Sequence, residues 1–203
     1  MLFVLVFNNG DSFMFKSKFI CLLFLIPFLF SCNKNNFNST SIPEKITNYS
    51  KYNDKKIQSF ILKNGSKVNK KDAEKLSGMI NFYSKKYNTD VKLVLSLIAV
   101  ESAFQPKAVS YAGAKGLGQL MPGTAKQMGV KNVFEPEENI EGTLKYIEWL
   151  KKRSGSNNLD IILASYNMGY GNVSWFLENK KPFPKDVRKY VNDIKKLQKM
   201  VIS

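Results

Sequence analysis

From Val91 to Val100 the chain runs almost without a polar residue, only Lys92 and Ser96 interrupting it, and the run ends on Glu101. A helix that is apolar almost all round is stable only when it is covered on every side, so this stretch reads as a central core helix over roughly 91–103. Thr89 or Asp90 offers an N-cap for it. Val94, Leu97, Ile98 and Glu101 share one face by i, i+3, i+4, i+7 spacing. The carboxyl group therefore projects where apolar side chains already point. Desolvation disfavours the charged form and can tune a glutamic acid from ~4.3 to ~6–7, suited to donating a proton at neutral pH. Taken alone, a residue of this kind is more often an ordinary helix-end carboxylate, solvated or paired with a lysine.

The remaining segments supply the cover. Leu76, Met79, Ile80, Tyr83 and Tyr87 mark a helix over Lys71–Asn88. A short helix is predicted over Gly118–Met128. Ile140, Leu144, Ile147 and Leu150 form one stripe of a helix over Glu137–Lys152, ended by Ser154-Gly155-Ser156. Further helical segments run over Leu159–Tyr166, Asn172–Glu178 and Asp186–Val201, and Trp175 and Phe176 read as core. No useful alternating strand pattern occurs, so the domain, placed at residues 70–203, is predicted to be all-α. Residues 57–68 carry an Asn64-Gly65 turn signal and fit either a short hairpin or a helix on the domain edge.

Histidine is absent, which removes Ser-His-Asp and Cys-His triads and most zinc sites. The two cysteines, Cys21 and Cys32, both precede the domain. No disulfide framework, metal or other cofactor is expected there, and acid–base work falls to carboxylates, tyrosines or lysines. The formal charge of +15 fits nucleic acid, an anionic membrane surface or an acidic extracellular polymer.

The N-terminus helps to choose. Phe19–Phe30 has the length of a signal-peptide core, with Lys16 and Lys18 in front of it and Met14 as the inferred true start. Leu29-Phe30-Ser31-Cys32 resembles a bacterial lipobox, which implies a lipidated Cys32 after removal of residues 1–31. Those residues hold two lysines and one aspartate, so the charge becomes +14 and the basic excess stays with the exported part. That argues against a nucleic-acid partner. Residues 32–69 then read as the lipidated cysteine and a flexible tether rich in Asn, Ser, Thr and Lys. The chain is expected in the bacterial envelope, facing the periplasm and anchored to one of its membranes, as a monomer.

Between Glu101 and Glu135 there is no other Asp or Glu. Ordinary glycoside hydrolases use two carboxylates, about 5–5.5 Å or 6.5–9.5 Å apart. Only one is offered locally, although Asp160 or Asp186 could approach in space. The Gly116-Leu117-Gly118 stretch lacks the third glycine and preceding strand of a nucleotide-binding loop.

Five motifs follow in order: Glu101-Ser102; Gly116-Leu117-Gly118-Gln119-Leu120-Met121-Pro122-Gly123-Thr124-Ala125; Asn139-Ile140 with Gly142 and Tyr146; Ser165-Tyr166-Asn167-Met168-Gly169; and Tyr190-Val191. Over about residues 75–195 the series resembles the soluble-type lytic transglycosylase catalytic domain, related to goose-type lysozyme. Ser165 and Met168 stand where alanines are usual, and Asp186-Val187 where Glu-Thr is common. The resemblance implies a lysozyme-like helical fold and cleavage of the β-1,4 bond between N-acetylmuramic acid and N-acetylglucosamine in peptidoglycan strands, with a 1,6-anhydromuramic product. It implies Glu101 as the single general acid and base. It implies Ser102, Gly116, Gln119, Tyr166, Asn167 and Tyr190 as groove or substrate-binding positions, with Tyr190 the better placed of the two tyrosines to reach the carboxyl. Two alternatives remain at this level: a muramidase hydrolysing the same bond with water, and a catalytically silent peptidoglycan-binding lipoprotein.

Overall fold

The computed structural model describes residues 54–201. Cys21, Cys32, the signal-like segment and Met14 lie outside the described residues. So does most of the tether. Among the described residues eight helices follow one another: α1 Lys55–Asn64, α2 Lys70–Lys86, α3 Val91–Ser102, α4 Pro122–Gln127, α5 Pro136–Ser154, α6 Leu159–Met168, α7 Tyr170–Glu178 and α8 Lys185–Met200. Among the described residues the only β pairing is a pair of isolated bridges in the loop before α4. The fold is all-α.

Helix α3 is the hub. Leu93, Val94, Leu95, Ser96, Leu97 and Ile98 are all buried along it. Its main partner is α8, which turns Val187, Val191 and Ile194 inward, while α2 and α1 also pack on it. Asp90, and not Thr89, caps α3: its carboxylate accepts the backbone N–H of Lys92 at 2.9 Å, and the Thr89 hydroxyl instead donates to the Tyr87 carbonyl. Ser96, a polar residue in the apolar run, is satisfied by donating to the Lys92 carbonyl at 2.8 Å. Helix α5 follows dipole logic: Pro136 opens it, Glu137 and Glu138 lie in its first turn, and Lys151, Lys152 and Arg153 lie in its last.

Three expectations change. Residues 55–64 form a helix, and Ile57, Phe60 and Ile61 are buried in the common core. The packed domain therefore begins well before residue 70, and the described end of the segment read as tether belongs to it. Asp54 caps α1 by accepting from Lys56 N and Ile57 N, a signal hidden in polar surroundings. The helix expected from Gly118 starts only at Pro122. Gln119 holds a positive φ of 49°, and Leu120 and Lys115 exchange two 3.0 Å backbone hydrogen bonds, so residues 116–121 are a stitched turn. Trp175 is not core but 47% exposed, edge-on to the half-buried Phe176 and capped by Lys181 Nζ at 4.9 Å. With only nine residues in α7, a single buried position, Val173, anchors the helix.

Ile61 is fully buried, so Ile61→Ala should cost about 2–4 kcal/mol in denaturant unfolding. An unchanged midpoint would mean that α1 is not part of the cooperative domain.

Candidate active site

The C-terminus of α3 places Glu101 where the helix breaks. Ala103 and Phe104 follow it with φ of 48° and 60°, two consecutive left-handed residues that are not glycine. Such conformations are sterically costly and persist only where packing over-determines them. Here the Phe104 side chain is completely buried and meets Phe60 edge-on, the ring centroids 6.3 Å apart. The buried ring holds the reversed backbone that ends the helix and leaves the Glu101 carboxyl at its rim.

Glu101 keeps part of its surface open, yet burial raises its carboxyl from 4.5 to about 7. One interaction opposes that rise. The Tyr190 hydroxyl on α8 donates to Oε1 at 2.5 Å, which favours the carboxylate. Neither a second acid nor a lysine contributes to the shift. Among the described residues Glu101 forms no ion pair. Asp160 is engaged with Lys195 at 2.7 Å between α6 and α8, and Asp186 lies exposed in the first turn of α8. The arrangement is thus one carboxyl group near neutrality, gripped on one oxygen by a phenol. Tyr190 itself is pushed well above the ordinary phenol range, first by burial and then by the Glu101 charge, so it stays a donor.

Tyr166 takes a different job. Its hydroxyl donates to the Gly118 carbonyl at 2.6 Å, and its own pKa is driven up by burial and by Glu101. Tyr146 packs on Tyr166 with ring centroids 5.2 Å apart and stacks on Trp149 at 5.9 Å. Its influence is felt by both Tyr166 and Tyr190. Two tyrosines, from α6 and α8, are therefore coupled to one acid, and Tyr146 of α5 packs on the first of them.

The turn between α3 and α4 is held by Asn139, fully buried at the start of α5. Its Oδ1 accepts Gly118 N at 2.8 Å, and its Nδ2 donates to the Lys115 and Val133 carbonyls at 3.1 and 2.8 Å. All three bonds go to loop backbone. Gly116 has φ of 78°, and a Cβ there would stand 2.1 Å from Asn139 Nδ2 and 2.3 Å from the Val133 carbonyl. Gly118 has ordinary φ, but a Cβ would meet Thr143 Oγ1 at 2.0 Å and the Tyr166 hydroxyl at 3.0 Å. Both glycines are thus required by close packing, Gly116 also by its backbone. Gly116 is buried against Asn139 and Val133, which gives it a packing role in the turn.

Gln119 lies on the same turn, partly exposed. Its amide nitrogen donates to Gly116 O at 2.9 Å and Ala108 O at 3.2 Å, leaving Oε1 as the available acceptor. The Ser102 hydroxyl is buried and donates back to the Ile98 carbonyl at 3.3 Å, so it braces the helix end and does not touch the Glu101 carboxyl. Asn167 is exposed near the end of α6, where the cap is Gly169. Asn139, Thr143 and Tyr146 were present in the motif stretch but carried no assigned role. The available signal was polar Asn139 and Thr143, one turn apart, on the face that Ile140, Leu144 and Ile147 bury.

A family profile described as "Transglycosylase SLT domain" matches residues 78–188. The chain is 37% identical over 109 residues to a transglycosylase of Enterobacteria phage PRD1, covering 54% of this chain and 40% of that protein. It is 40% identical over 90 residues to membrane-bound lytic murein transglycosylase F of Pseudoalteromonas translucida, covering 42% of this chain and 19% of that one. The chain thus spans less than half the length of these relatives. Its fold resembles the 70 kDa soluble lytic transglycosylase of Escherichia coli, with a TM-score of 0.56, 24% identity, and coverage of 70% of this chain and 27% of that structure.

Gly118→Ala is expected to destabilise the protein by about 1–3 kcal/mol in thermal or denaturant unfolding. The added methyl must displace Thr143 or break the Tyr166 bond. A neutral result would mean that the turn is not held by this contact.

Proposed function

The chain belongs to the Transglycosylase SLT domain family, and from that membership we propose that it is a lytic transglycosylase of the bacterial envelope. Its substrate is the β-1,4 bond between N-acetylmuramic acid and N-acetylglucosamine in peptidoglycan. The observation that carries the reading is the Glu101 carboxyl, raised to about 7 with no second acid acting on it. The murein transglycosylase relatives support the substrate class.

The chemistry follows from that one group. Near neutral pH about half of a carboxyl with this pKa is protonated, so both the acid and its conjugate base are at hand. Because Oε1 accepts from Tyr190, Oε2 carries the transferable proton. Glu101 gives it to the glycosidic oxygen as the C1–O4 bond breaks. The carboxylate left behind, stabilised by the Tyr190 hydrogen bond, takes the proton from the muramyl C6 hydroxyl as O6 bonds to C1. One proton leaves the enzyme and one returns; the product is a 1,6-anhydro ring and no water is consumed. A single carboxyl suffices because the attacking oxygen belongs to the substrate, so no second acid has to activate water or form an ester.

The remaining site residues act by position. Gln119 Oε1 and the exposed Asn167 amide are the proposed hydrogen-bond partners of the sugar. Tyr166 and Asn139 hold the turn that carries Gln119, and Ser102 and Gly116 support the same two segments. The names of the membrane-bound relatives support an envelope location; lipidation at Cys32 would provide the anchor. Among the described residues no helix is long and apolar enough to cross a membrane.

Glu101→Gln keeps the shape and removes the proton, so cleavage of purified peptidoglycan should fall by about 10²–10⁴-fold with the circular dichroism spectrum retained. Mass spectrometry of the wild-type products should show anhydromuramyl ends. Reducing muramyl ends would instead indicate hydrolysis, and unchanged cleavage by the variant would remove Glu101 from the mechanism.

The pH dependence has a definite sign. The starting form is the protonated acid, so kcat/KM should decline above about pH 7 as Glu101 ionises. Tyr190 donates to the carboxylate and holds the pKa down; Tyr190→Phe removes that stabilisation, and the alkaline limb should move to higher pH. A shift to lower pH would contradict the assigned hydrogen bond.

A further inference from the structure

On the other side of the turn an open cavity of about 400 Å³ lies between α4 and the segment leading into α5. Pro122, Ala125, Val130 and Val133 give it apolar walls, and Lys115, Lys126 and Lys131 stand around it. Among the described residues none of these lysines forms an ion pair. Their neighbour Glu138 is spent on backbone, accepting from Lys131 N at 2.7 Å and Asn132 N at 3.0 Å. Among the described residues the one partner seen for the three ammonium groups is the Phe134 ring, 6.0 Å from Lys115 Nζ.

Two of the three lysines project from pinned backbone. Lys115 exchanges hydrogen bonds with Leu120, and its carbonyl also accepts from Asn139, while Lys131 is held by Glu138. The cavity therefore has a cationic rim, two of its lysines rooted on held backbone, over small aliphatic walls. The complementary ligand carries carboxylates on a backbone bearing methyl-sized side chains. Lys115 adjoins Gly116, and two residues further on Gly118 is bound to Tyr166, which feels the Glu101 charge. Cavity and acid thus flank one turn.

We propose that this cavity is a subsite for the carboxylate-bearing peptide stem of a peptidoglycan strand whose glycan lies at Glu101. The inference rests on the peptidoglycan reading above and adds to it a determinant of substrate choice. The stem's small aliphatic residues would pack on Val130 and Val133, and its free carboxylates would meet the ammonium groups in charge-assisted hydrogen bonds.

The test compares peptide-bearing strands with the same strands stripped of their stems by an amidase. In Lys126→Gln/Lys131→Gln, which leaves Lys115 and the turn in place, KM for peptide-bearing strands should rise about five- to tenfold. Cleavage of stripped strands should be unchanged. The control Lys196→Gln/Lys199→Gln changes net charge equally on α8 and should leave both substrates unaffected. Equal effects on the two substrates, or the same rise in the control, would overturn the proposal. Titrating a free stem tetrapeptide into the wild-type protein, followed by NMR, reads the cavity independently of cleavage. Shifts at Val130 and Val133 that vanish in the double variant support the subsite, and no shifts in the wild type overturn it. Wild-type protein that cleaves neither substrate would defeat the catalytic reading instead, while the titration still decides this one.

Discussion

The hydrogen bond between Tyr190 and Glu101 joins the two helices on which the domain is built. Helix α3 carries the acid at the end of an apolar run whose residues 93–98 are buried, and α8 is the element that packs on it most extensively. Burial raises the carboxyl towards neutrality, and the phenol limits that rise. The same contact therefore closes the core and sets the proton affinity of the site. A carboxyl with only the first influence would resist ionising; one with a nearby cation would be ionised throughout. The balance between a desolvating core and a neutral donor suits the proposed role of a group that gives and then accepts a proton.

The turn from Lys115 to Leu120 depends on that core in a second way. Its own Lys115–Leu120 hydrogen bonds stitch it, and α5 and α6 pin the stitched turn to the core. Asn139 satisfies two of its backbone groups and ties it to the Val133 carbonyl, and Tyr166 satisfies a third. Buried polar groups of this kind must be fully paired to be tolerated, and when they are, they select one geometry. The result is a braced strip of backbone that holds Lys115 at the cavity rim and is bonded to Tyr166, which feels the Glu101 charge. Family membership adds that this strip lies in the matched region.

Much of this was legible in the residues. The run from Val91 to Val100 had to be a buried helix, and the apolar stripe of α2 supplies part of its cover. Helix α1 was harder to read because Ile57, Phe60 and Ile61 form a short stripe within a Lys- and Asn-rich stretch, where a tether and an amphipathic helix look alike. Helix α4 was read too long, since Gly118, Leu120 and Ala125 fit helical spacing but the positive φ of Gln119 does not show in its side chain. Trp175 went astray for a related reason: large aromatics bury on average, yet α7 is so short that Val173 anchors it and leaves the tryptophan outside.

By itself the sequence determined the fold class and the central helix, and it singled out the proposed acid, because periodicity and the isolation of Glu101 are properties of the order of residues. Only the tertiary structure decided which groups act on that acid. Tyr190 is 89 positions away from Glu101, Asn139 is 21 positions from Gly118, and Tyr166 is 48 positions from the carbonyl that it holds. A pKa depends on desolvation and on neighbours brought together by packing, and neither is written in any local stretch of the chain.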